Sequence, residues 1–319
     1  MRSVRVRAYC SSANLGPGFD ALAVALDAFY DEVEARVESG GSGKIVVEEV
    51  RGPYAEYVKN PTTVVGVFEV LKNYLGHELA SNVDVVIKLF KGVPIGVGLG
   101  SSGASAAATI VALSNLFSLD LGPSDLAYIA GLAEGYAAGT PHFDNVAASV
   151  LGKLVALAIL DKGLAVKRID FDAWFAIAMP TKNIFGEGKT KAMREVLPKT
   201  IDLRKAVANW SRLAVMVTSA MQGDLETFGK LMELDEVVEP ARAKLIPCFN
   251  EVKAAAKKTN GLGVAISGAG PSIIALARDE SHAKEIANAM AEAYSKCVEA
   301  VAIVTKTARG AHILYSISR

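Results

Sequence analysis

Apolar and basic residues alternate over residues 4–9, VRVRAY, near the start of the 319-residue chain. A period of two marks a strand with one buried face. The loop SSANLGPG follows at 11–18, then an apolar run at 20–26 and a second alternating stretch at 30–37. With a turn at 40–43 and a further strand at 44–50, the opening of the chain reads as strands joined by turns. At 61–75, PTTVVGVFEVLKNYL, the period becomes helical, with Pro at the start. Residues 83–90 return to a strand, and 103–116, GASAAATIVALSNL, read as a buried helix of small residues. A second helix spans 123–138, capped by Ser124 or the aspartate beside it. The loop GTPHFDN then leads through Gly152 into an apolar run ending at 160.

A polar turn at 161–163 suggests a boundary, dividing the chain into domains 1–160 and 161–319. Two strands are expected within 166–180, and helices at 190–197, 203–221, 225–232 and 249–258. Short strands at 261–266 and 272–277 flank the turn SGAGPS, followed by an amphipathic helix at 281–294 and a strand at 300–304. This order predicts a split β-α-β sandwich for the second half, and hence an α+β fold in two domains.

Composition narrows the function by exclusion. The chain is 51% hydrophobic and 21% charged, as an ordinary globular protein is. Its 34 basic and 34 acidic residues cancel, and no cluster of Lys and Arg stands out, which argues against nucleic acid or an anionic membrane as the main partner. The run LVALAIL is far short of the ~20 residues that span a bilayer. The N-terminus lacks the apolar core of a signal peptide. Cys10, Cys248 and Cys297 are far apart and odd in number, so they read as reduced thiols of a cytoplasmic protein. The histidines show no metal-ligand spacing. Gln222 is the single glutamine, a composition that heat adaptation and base composition explain equally well.

The stretch with most chemical content is PIGVGLGSSGAS, residues 94–105. Backbone N–H groups unobstructed by side chains can converge on phosphate oxygens, and a helix that follows adds its N-terminal dipole. The serines add hydroxyls for phosphate or Mg²⁺. A plain Gly-rich turn entering a tightly packed helix would look the same. A P-loop is excluded because no Lys follows Gly103. Gly98, Gly100 and Gly103 spell GxGxxG, but KGVPIGV separates the strand from the loop and no strand follows near Asp120, so a dinucleotide fold does not fit.

This loop resembles the phosphate loop of the superfamily of galactokinase, homoserine kinase, mevalonate kinase and phosphomevalonate kinase. SGAGPS at 267–272 resembles the superfamily's third motif. SSANLGPGFD at 11–20 and PHFDNVAASVLG at 141–152 are similar to homoserine kinase versions of two further segments, as are TKAMREVLP at 190–198 and EPARAKLIP at 239–247. The resemblance covers essentially the whole chain. It implies an N-terminal domain like the second domain of ribosomal protein S5, a ferredoxin-like C-terminal domain and an active site between them. It further implies Mg²⁺-dependent transfer from ATP to the side-chain hydroxyl of L-homoserine in threonine synthesis, and a homodimer. A kinase of mevalonate or shikimate, or a non-catalytic nucleotide-binding protein of the same fold, stands as the alternative.

Homoserine is a zwitterion, so its site needs an acid for the ammonium and a cation, best Arg, for the carboxylate. The resemblance assigns the first role to Asn14 and Asp20 and the second to Arg194 and Arg242. Taken alone, either Arg reads as a solvated helix residue. Asn145 would meet the substrate hydroxyl. Asp144 lies one residue before the position where mevalonate-type relatives carry a proposed base. Phosphoryl transfer proceeds without a strong base because its transition state is loose. His142 falls in the substrate loop, and Gly268 with Ala269 would bring backbone to the substrate. ATP would lie on Pro94, Ile95, Gly96, Val97, Gly98, Leu99, Gly100, Ser101, Ser102, Gly103 and Ala104, with Asn60 and Lys91 near the base. Ser102 and Glu134 are the implied Mg²⁺ ligands, and an acid in so apolar a helix as LAYIAGLAEGYAAG has an independent motive to find a cation.

Overall fold

The first strand is longer than its alternation shows. The computed structural model describes residues 2–76, 83–138, 141–182, 184–186 and 188–318. In it β1 (Arg2–Asn14) pairs antiparallel with an unbroken 22-residue β2 (Gly18–Ser39). Most of the expected loop at 11–18 is therefore strand, and only 15–17 turn back. The period of two fails there because Ser11, Ser12 and Asn14 are polar yet buried. Their partners lie far along the chain, out of reach of local pattern.

One seven-stranded sheet contains β11 (His312–Ser318), β1, β2, β4 (Val83–Phe90) and β3 (Ile45–Arg51) in that order, with β5 (Leu154–Ile159) on β2 and β6 (Leu164–Ile169) on β5. Four helices pack against it around one apolar cluster: α1 (Thr62–Leu75), α2 (Ser101–Leu116), α3 (Pro123–Ala138) and α4 (Asp144–Leu151). The small side chains of α2 let it sit within this layer, buried from Gly103 to Ala108. Asp125 accepts from the Gly122 N–H at 3.1 Å at the start of α3, so the aspartate rather than Ser124 does the capping. The sequence pattern missed α4, whose first turn carries the candidate residues Asp144 and Asn145.

The second sheet has four strands, β10 (Ala300–Lys306), β7 (Trp174–Pro180), β9 (Ile273–Ala277) and β8 (Gly263–Ile266) in that order, all antiparallel. With α9 (Phe249–Lys258) and α10 (Glu280–Ser295) on one face, this is the expected split β-α-β arrangement. The long crossover from β7 to β8 carries α5 (Lys189–Glu195), α6 (Leu203–Gln222), α7 (Leu225–Met232) and the short α8 (Val238–Arg242). A division at 160 separates β6 and β11 from the sheet they complete: the second sheet begins with β7, and the chain returns to the first sheet at its end. The two layers share a continuous apolar core of Val24, Leu26 and Leu154 against Phe175, Ile177 and Ile274.

The thiols differ from expectation. Cys248 and Cys297 form a disulfide with Cα atoms 6.1 Å apart. The residues are 49 apart in sequence, and the packing of α9 beside α10 brings them together. Cys10 is free and fully buried, and burial pushes its thiol up to about 12. Titration of the protein unfolded without reductant should therefore find one thiol, and after reduction three. Reduction should cost about 4 kcal/mol of stability for a loop of this length. Three thiols before reduction would overturn the pairing.

Candidate active site

Between the two layers lies a cavity of about 590 Å³. The glycine loop forms one wall, and Gly96, Gly98 and Gly100 all have positive φ. At Gly98 the need for glycine is steric as well, since a Cβ would lie 2.4 Å from the Ser267 carbonyl oxygen and 2.7 Å from that of Gly270. The turn at 267–272 is thus pressed against the loop. Ser267 Oγ donates to Gly98 O at 2.8 Å, and the Ser272 N–H to Val97 O at 3.1 Å. From the other side the Ser11 N–H donates to Leu99 O at 3.2 Å, and Ser267 Oγ reaches Ser12 Oγ at 2.8 Å. Three segments more than a hundred residues apart in places meet here through backbone groups and serine hydroxyls.

The loop ends at Gly100, the left-handed N-cap of α2, and no side chain caps the helix. Gly100, Ser101 and Ser102 line the cavity. The unpaired first-turn N–H groups and the positive end of a 16-residue helix therefore face it. This is the geometry that accepts a phosphate.

A buried ion pair braces the loop from below. Lys91 donates to Asp31, to Ser101 O at 2.7 Å and to Ser105 Oγ at 2.9 Å. Asp31 also accepts from the Gly92 and Val93 N–H groups, each at 2.9 Å. All three ammonium protons of Lys91 are spent on this scaffold. Lys91 borders the cavity, but its structural engagement differs from the nucleotide contact expected of it.

Glu134, on α3, is buried. Burial pushes its carboxyl up to about 7, although the Ser102 hydrogen bond and the Lys91 charge act the other way. Ser102 Oγ donates to Oε2 at 2.6 Å, and Oε1 has no hydrogen-bond partner. An orphaned carboxylate oxygen beside a hydroxyl fits a hard cation. Among the described residues no three His, Cys, Asp or Glu side chains gather as a metal group. A two-ligand set nonetheless suits Mg²⁺, which keeps waters and binds through phosphates.

A cluster of charges lines the same cavity. Arg194 donates to both oxygens of Asp20, at 3.0 and 3.1 Å, and its Nε to His142 Nε2 at 3.3 Å. Arg242 is 3% exposed and donates to Met193 O and Gly268 O, each at 3.1 Å. Burial pulls its guanidinium down to about 10. Both guanidinium groups lie over the Phe19 ring, at 5.6 Å for Arg194 and 5.2 Å for Arg242. Asp144 is buried, and burial with the Asp20 carboxylate pushes it up to about 6. Asn145 Oδ1 accepts from Ser11 Oγ at 2.9 Å. Asn14 donates to Gly268 O at 2.8 Å and accepts from the Asp20 N–H at 3.1 Å, so its amide positions Asp20 and the third turn.

The cavity thus gathers Asn14, Asp20, His142, Asp144, Asn145, Arg194, Arg242 and Gly268 together with Asn60, Pro94, Ile95, Gly96, Ser101, Ser102 and Glu134, with Asn145 against Gly100 and Gly268 against Gly98. Val97, Gly103 and Ala104 are not in its lining. Val97 and Ala104 are core side chains, and Gly103 packs against Asn145. Sequence reasoning missed Asp31, Phe19 and Lys189. Asp31 sits in an ordinary alternating strand, and Lys189 is one lysine among many, so no local signal marks either.

The chain is similar to known proteins along most of its length. The family described as GHMP kinases N terminal domain matches residues 62–153, and GHMP kinases C terminal matches 216–296. The homoserine kinase of Aeropyrum pernix is 48% identical over 97% of this chain and 98% of that protein. The homoserine kinase of Saccharolobus solfataricus is 39% identical over 86% of each. The crystal structure of homoserine kinase from Cytophaga hutchinsonii superposes with a TM-score of 0.84 at 32% identity, covering 98% of this chain and 97% of that one.

Replacing Lys91 tests its role as a brace. Lys91→Met leaves Asp31 charged and buried, and should cost about 3–5 kcal/mol in urea unfolding. Adding Asp31→Asn should recover part of the loss. Unchanged stability with weakened nucleotide binding would return Lys91 to the role of a contact.

Proposed function

Because the chain belongs to the GHMP kinases and, within them, to the homoserine kinases, we propose that this cavity is where ATP phosphorylates the side-chain hydroxyl of L-homoserine. The products are ADP and O-phospho-L-homoserine, on the way to threonine. One observation carries the reading: an uncapped helix N-terminus and a paired acid–arginine cluster face one cavity. The first suits a phosphate chain. The second suits a zwitterion, with Asp20 for the ammonium and Arg242 and Arg194 for the carboxylate.

In this reading the loop from Pro94 to Ser102 cradles the phosphates with Asn60 nearer the base, and Ser102 with the free oxygen of Glu134 holds Mg²⁺. When bound, Mg²⁺ supplies charge neutralisation on the phosphate oxygens. Asn145, fixed by Ser11, orients the hydroxyl, and His142 fixes Arg194. Catalysis is then positioning and charge stabilisation. A buried Asp144 held near 6 also has the properties of a general base, which makes its variant the informative one.

Among the described residues no helix is long and apolar enough to cross a membrane. Use of ATP in amino-acid synthesis supports a cytoplasmic setting, and the disulfide fits a heat-adapted intracellular protein. A homodimer is supported by the exposed apolar face of α6, where Leu203, Val207 and Trp210 are 70%, 50% and 63% exposed.

The decisive experiment measures ADP release from Mg-ATP with L-homoserine, D-homoserine, L-threonine, mevalonate, shikimate and galactose. Turnover with L-homoserine alone is expected. Turnover with mevalonate or shikimate would keep the phosphate loop and overturn the zwitterion site. Glu134→Gln should lower kcat by about 100-fold or more, and a near-normal kcat at saturating Mg²⁺ would remove Glu134 from the metal site. The same change should help folding. The folded carboxyl is raised from the ordinary 4.5 to about 7, so the folded state holds the extra proton in that window and loses stability as pH rises through it. At pH 8 in EDTA the variant should therefore melt about 2–4 °C higher, the gain vanishing near pH 4.5. Asp144→Asn should cost less than about 10-fold in kcat, whereas a loss of about 10³ with disappearance of an acid limb near pH 6 would make Asp144 the base.

A further inference from the structure

Lys189, the first residue of α5, is a cation the reading above leaves without a task. It is 8% exposed, yet it lines the same cavity. Its ammonium donates to the carbonyl of Gly270 and forms no ion pair with any described carboxylate. The charge acting on it is the like charge of Arg242, which with burial pulls it down to about 7. A buried ammonium beside a guanidinium, with one neutral acceptor, is electrostatically unbalanced until an anion joins it. Among the described residues Gly270 is the acceptor its ammonium meets, which leaves protons for such a ligand.

Position selects the anion. The Gly270 carbonyl that accepts from Lys189 is also the atom 2.7 Å from where a Cβ on Gly98 would stand. Lys189 and the glycine loop therefore both approach this one oxygen. Arg242 instead reaches Gly268 and faces Asp20 and Phe19. A planar fork suits a carboxylate, and a compact ammonium suits a phosphate as a point charge. Resting on the kinase reading above, we infer that Lys189 binds the phosphoryl group in transfer, first as the γ-phosphate of ATP and then as the phosphate of O-phospho-L-homoserine. In that step the bond from γ-phosphorus to the ADP oxygen breaks and one to the homoserine oxygen forms. The hydroxyl proton leaves to solvent, and Lys189 keeps its own.

The test compares wild type with Lys189→Met and Lys189→Arg, each checked for folding by thermal unfolding. If Lys189→Met does not fold, Lys189→Gln, which retains an N–H for Gly270, takes its place. Expected are a kcat lower by roughly 10- to 100-fold and a similar loss of affinity for O-phospho-L-homoserine. Affinity for L-homoserine should stay within about twofold, and Lys189→Arg should recover part of both losses. Equal weakening of L-homoserine and its phosphate would overturn the inference, placing Lys189 at the carboxylate or in the scaffold. So would unchanged kinetics. A wild type that fails to phosphorylate L-homoserine would instead sink the functional reading, so the two failures are distinguishable.

Discussion

Everything in the cavity depends on how closely the glycine loop approaches the turn at 267–272. Gly98 is the point of contact, with φ of +88° and two carbonyl oxygens where a Cβ would stand. Side-chain and backbone hydrogen bonds from Ser11, Ser267 and Ser272 hold the loop from both layers. This contact fixes the direction in which α2 begins, and so aims its free N–H groups at the cavity. The Lys91–Asp31 pair supports the same loop from beneath, in a place where two unpaired charges would be costly.

The electrostatics of the cavity show function set against stability. Glu134 and Asp144 are carboxyl groups pushed up by burial, and Lys189 is an ammonium pulled down by it. None is balanced within the protein as fully as Asp31 and Lys91 balance each other. The imbalance has a direction: a spare carboxylate oxygen near the loop, and a buried ammonium and a buried guanidinium that both donate to backbone carbonyls. Such a site is complementary to a cation and to anions that arrive from solution, and pre-set charge of this sort acts without reorganising during the reaction.

How far the sequence reaches is clearest in particular residues. Period and punctuation located most helices and strands, including α1, β4 and α10, because each buries one face at its own spacing. They misjudged 11–18, where buried serines find their partners across the fold, and missed α4, whose first turn is short and polar. The glycine pattern and four family-like segments marked the loop and the two arginines, and the resemblance with an apolar helix setting marked Glu134. They gave Asn14 and Lys91 contact roles, and both line the cavity while also bonding to the scaffold around it.

The sequence by itself determined most of the order of helices and strands, and it carried the motifs whose resemblance points to the family and to the candidate loop, acid and arginines, since period and glycine-rich turns are local features. Only the tertiary structure decided the disulfide between Cys248 and Cys297, the return of the last strand to the first sheet and the exposure of Lys189 to the cavity. Each of these is a meeting of segments distant in the chain, and local pattern holds no record of which distant atom a buried group will face.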